Sequence, residues 1–393
     1  MNILKNIFKE RKSNNEVHKK YGEVKSYYQP LGKAVWSDRN FEVFAREGYI
    51  KNVIGYKCVS MLARSASSIP FLVYDKNTNQ NIESHPLLYL LNNPNPNQSR
   101  AEFFEALYSY KLISGNSFVQ AVLLDRNNFK NPKELFVLRP ERMTVIASDS
   151  SIPLGYKYKV NSSETMFYAN SITGQSEILH IKNFNPLNDW YGLSPVEAAS
   201  YSIDQHNEAS RWNQAMLQNG ARPSGALMVK NDGENSAFLT DEQFMRLKNQ
   251  LNEEFAGAEN AGKPLLLEGG LEWKEMSLSP ADMDFLDTKY SCARDIALAF
   301  GVPSQLLGIP GDNTYSNLSE ARLSMWEETI IPMIENVMNA LEKWLVPMYG
   351  ENIGLYYDKD KIMALSSRRE SFWNKIANAT FLSDEEKKEL LDL

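Results

Sequence analysis

The 393-residue chain has little cysteine and little histidine, with two residues of the first kind and four of the second. Cys58 and Cys292 lie far apart, each within a pattern typical of a helix, so they predict buried free thiols and no disulfide framework. The histidines show no pairing at the spacing of metal ligands, and neither cysteine lies beside one. We therefore expect no metal centre and no redox site.

The chain also lacks long apolar runs. No stretch approaches the roughly 18 uninterrupted apolar residues that a membrane-spanning helix needs. Its first twenty residues are polar and of mixed charge, without the apolar block of a secretory signal. These absences predict a protein that is made and kept in the cytoplasm and does not bind a membrane.

An excess of basic residues is missing too, since the net charge is −7 and the isoelectric point is about 5.4. Proteins that grip nucleic acid by neutralising its phosphates usually carry basic patches. An acidic surface repels the phosphate backbone and discourages sticking. Any contact with DNA is therefore expected to be loose.

No complete catalytic motif is present. Residues Gly257–Lys263 match the spacing of a phosphate-binding P-loop, but Pro264 stands where that motif needs Ser or Thr for magnesium. The predicted order of elements, a helix before and a strand after, is also the reverse of the P-loop order. We interpret this segment as a glycine-rich turn.

The other candidate for chemistry is a group of carboxylates at the start of a predicted helix, where they favourably meet the positive end of the helix dipole. These residues are Asp282, Asp284 and Asp287. No Gly-x-Ser-x-Gly elbow accompanies the many serines. No residue is therefore assigned a catalytic role.

The first half of the chain predicts an α+β region. Residues 1–34 are charged and lack apolar periodicity, which is typical of a flexible arm, and the core begins near Trp36. Apolar spacing predicts one helix from Phe41 to Ser67, and Ser99 with Glu102 forms a capping box for another. Strands are predicted at Phe71–Tyr74, Ser117–Leu124, Glu134–Leu138, Met143–Ala147, Tyr156–Lys159, Thr165–Tyr168 and Ile178–Ile181.

The second half is dominated by helices. Two of them begin with Ser-Pro and an acidic residue, at Ser194 and Ser279, and are predicted to end at Gly220 and Gly301. Residues 221–278 between them predict a small α/β insertion. It contains a helix capped by Thr240 with Gln243, and strands at Ala226–Val229, Pro264–Leu267 and Leu271–Met276. The second helix carries an apolar seam that would face its partner helix or a neighbouring subunit. The seam consists of Met283, Leu286, Tyr290, Ala293, Ala297 and Phe300.

A turn-rich, polar loop follows at Gly308–Asn317, with side chains that can meet bases or phosphates weakly. An ordinary connection between two helices is the alternative interpretation. A long helix is then predicted from about Leu318 to Tyr349, with a kink at Pro332. A strand at 351–357 and two short helices, the last capped by Ser383, complete the chain.

Ordered segments along residues 35–350 resemble the phage portal proteins of the small siphovirus and gene-transfer-agent type. The matching segments are Asn93-Pro94-Asn95-Pro96, Ser114-Gly115-Asn116-Ser117-Phe118, Leu138-Arg139-Pro140-Glu141-Arg142, Asp189-Trp190-Tyr191-Gly192-Leu193-Ser194-Pro195, Asn219-Gly220-Ala221-Arg222-Pro223-Ser224-Gly225, Leu265-Leu266-Leu267-Glu268-Gly269-Gly270-Leu271, Phe300-Gly301-Val302-Pro303, Leu306-Leu307-Gly308 and Thr314-Tyr315-Ser316-Asn317. Such a series is far more specific than any one motif.

The resemblance implies an α+β portal fold. Its parts would be a flexible arm at 1–34, an α+β wing at 35–193, stem helix 1 at 194–220, a small α/β clip at 221–278, stem helix 2 at 279–301, a tunnel-loop region at 302–317, a long kinked helix returning to the wing at 318–358 and a short helical crown at 359–393. The loop residues implied to line a DNA channel are Ile309, Gly311, Asp312, Asn313, Thr314, Tyr315, Ser316 and Asn317.

It also implies a ring, usually of twelve subunits, at one capsid vertex of a virion that is assembled in the cytoplasm of a bacterial host. Double-stranded DNA would pass through without sequence preference. The implied partners are the terminase large subunit, which supplies ATP hydrolysis, a head-tail adaptor at the clip and the major capsid protein. No cofactor and no enzyme activity are implied. Two alternatives stay open: a ring-forming capsid or adaptor protein that conducts no DNA, and a phosphate-binding hydrolase that uses Lys263.

Overall fold

A computed structural model describes residues 40–124, 130–149, 152–170, 172–218, 225–229, 240, 242–243, 245–246, 248–249, 271–275, 285–312, 317–349, 352–379, 383 and 385–387. Several predictions lie outside these residues. They concern the N-terminal arm, the strand predicted at Pro264–Leu267, the glycine-rich turn Gly257–Lys263, the second Ser-Pro helix start and the seam residue Met283.

The helix predicted from Phe41 to Ser67 is two helices, so that prediction was wrong in one respect. Helix α1 (Phe41–Val43) continues as a π-helical segment (Phe44–Ile50), and α2 (Val53–Ser68) begins after it. Asn52 separates them because its backbone is extended (φ −105°, ψ 111°) and its side chain caps α2. The Asn52 Oδ1 atom accepts hydrogen bonds from the amides of Ile54 at 3.1 Å and Gly55 at 2.9 Å.

Two further helices pack in this half. Helix α3 (Pro86–Asn92) was not predicted, although His85 accepts from the Leu87 amide at 3.1 Å and Pro86 occupies the first helical position. Helix α4 (Arg100–Ser114) has the predicted capping box: the Ser99 amide donates to Glu102 Oε2 at 2.8 Å, and the Glu102 amide donates to Ser99 Oγ at 3.4 Å.

Strands form close to the predicted positions in the described part of this half. They are β1 (Phe71–Asp75), β2 (Asn116–Val122), β3 (Glu134–Leu138), β4 (Met143–Ile146), β5 (Gly155–Val160), β6 (Ser163–Tyr168) and β7 (Ile178–Lys182). The six strands β2 to β7 build two three-stranded antiparallel sheets, ordered β3-β2-β7 and β4-β5-β6. Asn and Pro residues separate the strands, as the sequence indicated.

The helix that starts at Ser194 is distorted once along its length. Ser194 caps α5 (Pro195–Ala198) by accepting from the Val196 amide at 2.9 Å, and α6 (Ser200–Gln218) follows a turn at Ala199 (φ −87°, ψ 5°). The Ala199 amide donates to the Pro195 carbonyl at 3.0 Å, and the Ala199 carbonyl accepts from the Ile203 amide at 2.9 Å. Ala199 therefore bonds to both α5 and α6.

After α6 the insertion shows one described strand pair, β8 (Gly225–Val229) with β9 (Leu271–Glu275), in antiparallel register. The predicted cap at Thr240 is also present, since the Gln243 amide donates to Thr240 Oγ1 at 3.3 Å and the Thr240 amide donates to Gln243 Oε1 at 3.0 Å. Helix α7 (Phe285–Ala299) then returns beside α6.

The long helix predicted after the loop forms in three parts. Helix α8 (Leu318–Ser324) passes into a π-helical segment (Met325–Ile330) and then into α9 (Ile331–Tyr349). The Ile331 amide donates to the carbonyl of Trp326, five residues back. The expected effect of Pro332, whose ring crowds the preceding turn, therefore takes the form of π-helical turns immediately before it.

The chain returns to its first strand after α9. Strand β10 (Ile353–Tyr357) pairs antiparallel with β1, from Phe71 opposite Tyr357 to Asp75 opposite Ile353. Helix α10 (Ser366–Ala377) follows, and Ser383 accepts from the Glu386 amide at 3.2 Å as the predicted cap of the last turn. The first and last strands of the described fold thus share one sheet.

One large apolar core joins these elements, and α9 runs through it. The buried side chains of α9 recur three and four residues apart, as on the apolar face of an amphipathic helix. Ile334, Val337, Leu341 and Leu345 are each fully buried there against side chains of α2, α3 and β10. A smaller cluster lies between the two three-stranded sheets, around Phe118 and Tyr156. The α+β prediction is confirmed by this combination of helices and small antiparallel sheets.

We expect Asn52→Ala to lower the free energy of unfolding by about 1–3 kcal/mol, because the fully buried amide caps α2 and also donates to Asn207 Oδ1 at 3.0 Å. Asn40→Ala is the matched control: Asn40 caps α1 through the Val43 amide at 3.0 Å but is exposed, so its loss should cost less than about 1 kcal/mol. Thermal and urea unfolding of the purified chains measure both, and equal losses would contradict the assignment.

Candidate functional site

Helices α6 and α7 form an antiparallel pair. Three contacts join them along their length: Ser202 Oγ donates to Asp295 Oδ2 at 3.3 Å, Cys292 Sγ donates to Gln205 Oε1 at 3.5 Å, and the Trp212 ring stacks on Phe285 with centroids 4.1 Å apart. The start of α6 and the end of α7 both contribute buried residues to the large core, so the pair leaves the core from that end. The pair therefore connects the core to the insertion.

The predicted seam of α7 divides into two parts. Ala293, Ala297 and Phe300 are buried within this chain, whereas Leu286 is 63% exposed and Tyr290 is half-buried. The end of α7 near the core thus packs inside the subunit. The exposed end leaves apolar surface that its own partner helix does not cover, and a role for it between subunits stays a prediction.

Helix α7 stops at Gly301 because of a close contact with the π-helical segment. Gly301 has a left-handed backbone (φ 66°), and a Cβ atom there would lie 2.6 Å from Thr329 Oγ1. The Thr329 hydroxyl donates to the Gly301 carbonyl at 2.7 Å. Only glycine fits both the conformation and the space, so the loop after α7 leaves from a fixed point.

The described part of the loop contains one buried side chain and two glycines with left-handed backbones. A 3₁₀ turn (Ser304–Leu307) ends at Gly308, which has φ 72°, and Gly311 has φ 88°. Ile309 lies between them and is only 4% exposed. The resemblance placed Ile309 among the residues that line a channel, but in this subunit its side chain is buried.

Asp312 is held by Arg294 on the neighbouring helix α7. Arg294 Nε lies 3.1 Å from Asp312 Oδ1 and 3.0 Å from Oδ2, and Nη2 lies 2.8 Å from Oδ1. The Asp312 side chain is 14% exposed. Hydrogen bonds from Arg294 and from Ser304 lower the pKa of this carboxyl below its ordinary value, so Asp312 is ionised at neutral pH.

The remaining loop residues are placed only in part. Asn313, Thr314, Tyr315 and Ser316 lie outside the described residues. Asn317 is the residue before α8, where its carbonyl accepts from the Ala321 amide at 2.9 Å. The structure thus places both ends of the predicted loop, and its role as the lining of a channel stays a prediction.

A second set of contacts joins the sheets to the start of α5. Gly115, with φ 74°, ends α4, and a Cβ atom at Gly192 would lie 2.2 Å from the Gly115 carbonyl oxygen. Asn116 Oδ1 accepts from the Gly192 amide at 2.7 Å. The Ser194 hydroxyl donates to the carbonyls of Leu112 at 3.1 Å and Ile113 at 2.6 Å. These bonds fix where the helix pair leaves the core.

Lys111 is buried beside that contact and bonds to the Asn183 side-chain oxygen. Asn183 in turn donates to the Leu193 carbonyl at 3.0 Å. Burial lowers the pKa of Lys111 to about 8, because the charged amine loses its hydration. A cation near the carboxyl end of α4 still meets the negative end of that helix's dipole.

His180 lies on the other side of the same network. Its ring stacks on Phe118 with centroids 4.2 Å apart, and its Nε2 atom lies 3.0 Å from Asn116 Oδ1. Burial lowers the pKa of His180 to about 3, so the ring is neutral over the physiological range. We assign it a structural role in orienting Asn116.

Sequence reasoning missed Arg294, Asn116 and Asn183 as members of these networks. Asn116 lay within a motif that carried the family resemblance, and Arg294 lies on the polar side of a recognised helix. No sequence pattern near Arg294 indicates that it pairs with Asp312, because the two residues are 18 positions apart in the chain. Only their packing in space brings them together.

Across the described parts of the chain, no three or more His, Cys, Asp or Glu side chains lie close enough to hold a metal ion. In the same parts, none of the helices combines the length and apolarity needed to cross a membrane. Cys58 and Cys292 are both buried free thiols, as predicted, and burial raises the pKa of each.

Residues 54–392 match the family model described as phage portal protein. The chain is 48% identical over 347 residues to an uncharacterized protein of Rickettsia bellii (strain RML369-C), and the match covers 88% of each protein. Two solved structures of gene transfer agent (GTA) particles also match. The neck of an empty particle with C6 symmetry has a TM-score of 0.71 at 42% identity, and the neck of a native particle with C12 symmetry has 0.68 at 41%. Each covers 92% of this chain and 96% of the other.

We expect the stability of the chain to rise as the pH increases from about 8 to 10.5 because of Lys111. Below pH 8 both the folded and the unfolded chain bind this proton. Between pH 8 and 10.5 the unfolded chain still binds it and the folded chain does not, so the equilibrium moves toward the folded state. The gain is at most about 3 kcal/mol, since a tenfold change in proton affinity corresponds to about 1.4 kcal/mol.

Urea unfolding at pH 7.5 and pH 9.5 measures this effect, with Lys111→Met as the comparison that cannot titrate. The difference in free energy between the two proteins should shift with pH in favour of the natural chain. A difference that is the same at both pH values would show that the Lys111 pKa is not lowered in the fold.

Proposed function

The chain belongs to the phage portal protein family, and on that premise we propose that it is one subunit of a portal ring, through which double-stranded DNA enters and leaves a capsid. The observation that carries the proposal is the match over nearly the whole chain to proteins in the necks of GTA particles with C6 and C12 symmetry. A ring with rotational symmetry needs a head-to-tail contact between different faces of neighbouring subunits. Twelve subunits agree with the C12 particle.

In this proposal the helix pair is the stem, the insertion is the clip, and the core with its sheets is the wing. The exposed apolar surface near Leu286 and Trp212 supports the assignment of the stem, because a neighbouring subunit would cover it. The short helices after β10 would form a reduced crown. The whole assembly would be acidic, which suits DNA that must slide and not adhere.

The loop between α7 and α8 would line the channel. Its described ends are fixed by Ile309, by the Arg294–Asp312 ion pair and by the start of α8 at Asn317. We assign contact with DNA to Gly311 and the segment Asn313–Asn317, while Asp312 fixes the base of the loop through Arg294. We omit Ile309 from the contacts because its side chain is buried in its own subunit. The polar side chains would give transient contacts without sequence preference.

The same proposal includes partners of the ring. A terminase large subunit would dock at the clip and supply ATP hydrolysis, a head-tail adaptor would bind there after packaging, and the major capsid protein would surround the wing. The portal subunit itself would need no cofactor and perform no catalysis. Its place would be one vertex of a virion assembled in a bacterial cytoplasm.

Electron microscopy of the purified chain tests the proposal. We expect rings with an open axial hole and twelve-fold rotational symmetry, because the matched neck structures carry such symmetry. A chain that stays monomeric in buffers of low and high salt would overturn the proposal. Closed rings with a blocked axis would favour a structural capsid or adaptor role instead.

Replacement of Asn313–Ser316 by four glycines should leave the rings intact and impair the retention of packaged DNA several-fold. The replacement keeps Asp312 and Asn317, which hold the loop ends, and removes only the polar side chains between them. Particle yield and DNA content in a packaging system measure the effect. Loss of ring assembly would show that the loop is a structural connection, and unchanged DNA retention would remove it from the channel.

A further inference from the structure

The base of the loop is tied to the helix before it by one charged contact. Arg294 lies on α7, and Asp312 lies 18 residues later, after the turn at Gly301 and the 3₁₀ segment. We propose that Arg294 and Asp312 form a latch that fixes the loop base to α7, which makes Arg294 a positioning residue for the loop. The functional part of this inference rests on the proposed channel, whereas the latch itself is a property of the subunit.

The contact has the geometry of a two-pronged ion pair. Both carboxylate oxygens of Asp312 accept from the guanidinium, at three distances between 2.8 and 3.1 Å. A planar guanidinium can engage a carboxylate in this way and thereby fix both its position and its orientation. A single-point contact would leave the carboxylate free to rotate.

The surroundings favour the closed latch. Asp312 is largely shielded from water, while the Arg294 side chain is 42% exposed. Ser304 also contributes a hydrogen bond to the carboxyl, and Asp287, about two turns earlier on the same side of α7, adds a second negative charge near Arg294. Asp295, the neighbouring carboxylate on α7, is engaged by Ser202 of α6. Arg294 is therefore committed to Asp312.

The backbone on the loop side can turn once the latch opens. Gly308 and Gly311 both have left-handed backbones, and no atom lies within 4 Å of the Cβ position of either. Ile309 between them is buried, so it would stay in place while the residues after it move. The Asp312 amide donates to the Ile309 carbonyl at 3.3 Å, a long bond that would not hold the segment by itself.

The latch makes the position of the loop depend on the integrity of α7. If α7 shifted relative to the core, Asp312 would move with it, because the ion pair with Arg294 joins Asp312 directly to α7. Because the cation is partly exposed, high salt should weaken the pair. Acid should also open it, but only below the ordinary pKa of a carboxyl, because the pKa of Asp312 is lowered.

Hydrogen exchange of the full-length chain, read by mass spectrometry on peptides that cover residues 308–312, tests the latch. In Arg294→Gln and in Asp312→Asn, we expect these amides to exchange about five- to tenfold faster than in the natural chain. Arg294→Lys should give an intermediate rate, because lysine keeps the charge but cannot form the two-pronged contact. Peptides from the core should be unchanged in all three.

Arg64→Gln is the control for loss of an arginine ion pair elsewhere in the fold, since Arg64 Nε lies 2.9 Å from Glu105 Oε1 in a single-point contact. It should leave exchange at 308–312 unchanged. The charge-swapped variant with Arg294→Asp and Asp312→Arg should recover part of the protection, which a loss of folding could not do. Raising the salt from about 0.05 to 0.5 M should speed exchange in the natural chain and not in Arg294→Gln.

Equal exchange rates in the natural chain, Arg294→Gln and Asp312→Asn would overturn the latch. Faster exchange throughout the chain in both variants, with no recovery in the charge swap, would overturn it as well, because the pair would then stabilise the fold and not the loop. Ring formation is scored separately by microscopy on the same samples. Failure of every sample to form rings, with exchange as expected, would reject the portal proposal and leave the latch in place.

Discussion

The close approach of two backbone segments at Gly115 and Gly192 positions much of the second half of the chain. No side chain fits between them, since a Cβ atom at Gly192 would lie 2.2 Å from the Gly115 carbonyl oxygen. Asn116 bonds to the Gly192 amide, and Ser194 bonds to the end of α4, so α5 leaves the core from one defined point. Helix α7 runs antiparallel to α6 and returns to the same core, where Ile296 and Phe300 are buried. A portal subunit needs such a rigid origin, because an angular error at the core would be repeated around a closed ring.

Charge is arranged on two scales. The chain as a whole is acidic, which favours weak contact with DNA, whereas the individual charges near the loop are paired in specific geometry. Asp312 forms an ion pair with Arg294 and so holds the loop base in this subunit. Where the end of α4 meets the start of α5, Lys111 is buried beside the uncharged side chain of Asn183, and His180 stays neutral. These groups contribute through their position, and none of the three has the surroundings expected of a catalytic acid or base.

Local patterns predicted most elements because their causes are local. The capping boxes at Ser99 and Thr240 and the strand segments from β2 to β7 formed close to the predicted bounds. Differences arose where a distant contact intervened. The break at Asn52 depends on buried contact with His206 and Asn207, about 150 residues away. The π-helical turns before Pro332 show the opposite case. The local steric effect of this proline was predicted as a kink, but the structure accommodates the proline with π-helical turns.

The sequence by itself determined the class of fold, the helix starts after Ser99 and Ser194, the family resemblance and the acidic character of the chain, because periodicity, capping and composition act over a few residues or over the whole chain. The tertiary structure decided which residues of the site meet. It buried Ile309, which the sequence could not distinguish from an exposed loop residue, and it joined Arg294 to Asp312 across an intervening turn. The physical reason is that burial and ion pairing depend on neighbours in space, and the chain folds those neighbours together only when α7, the loop and α8 have packed.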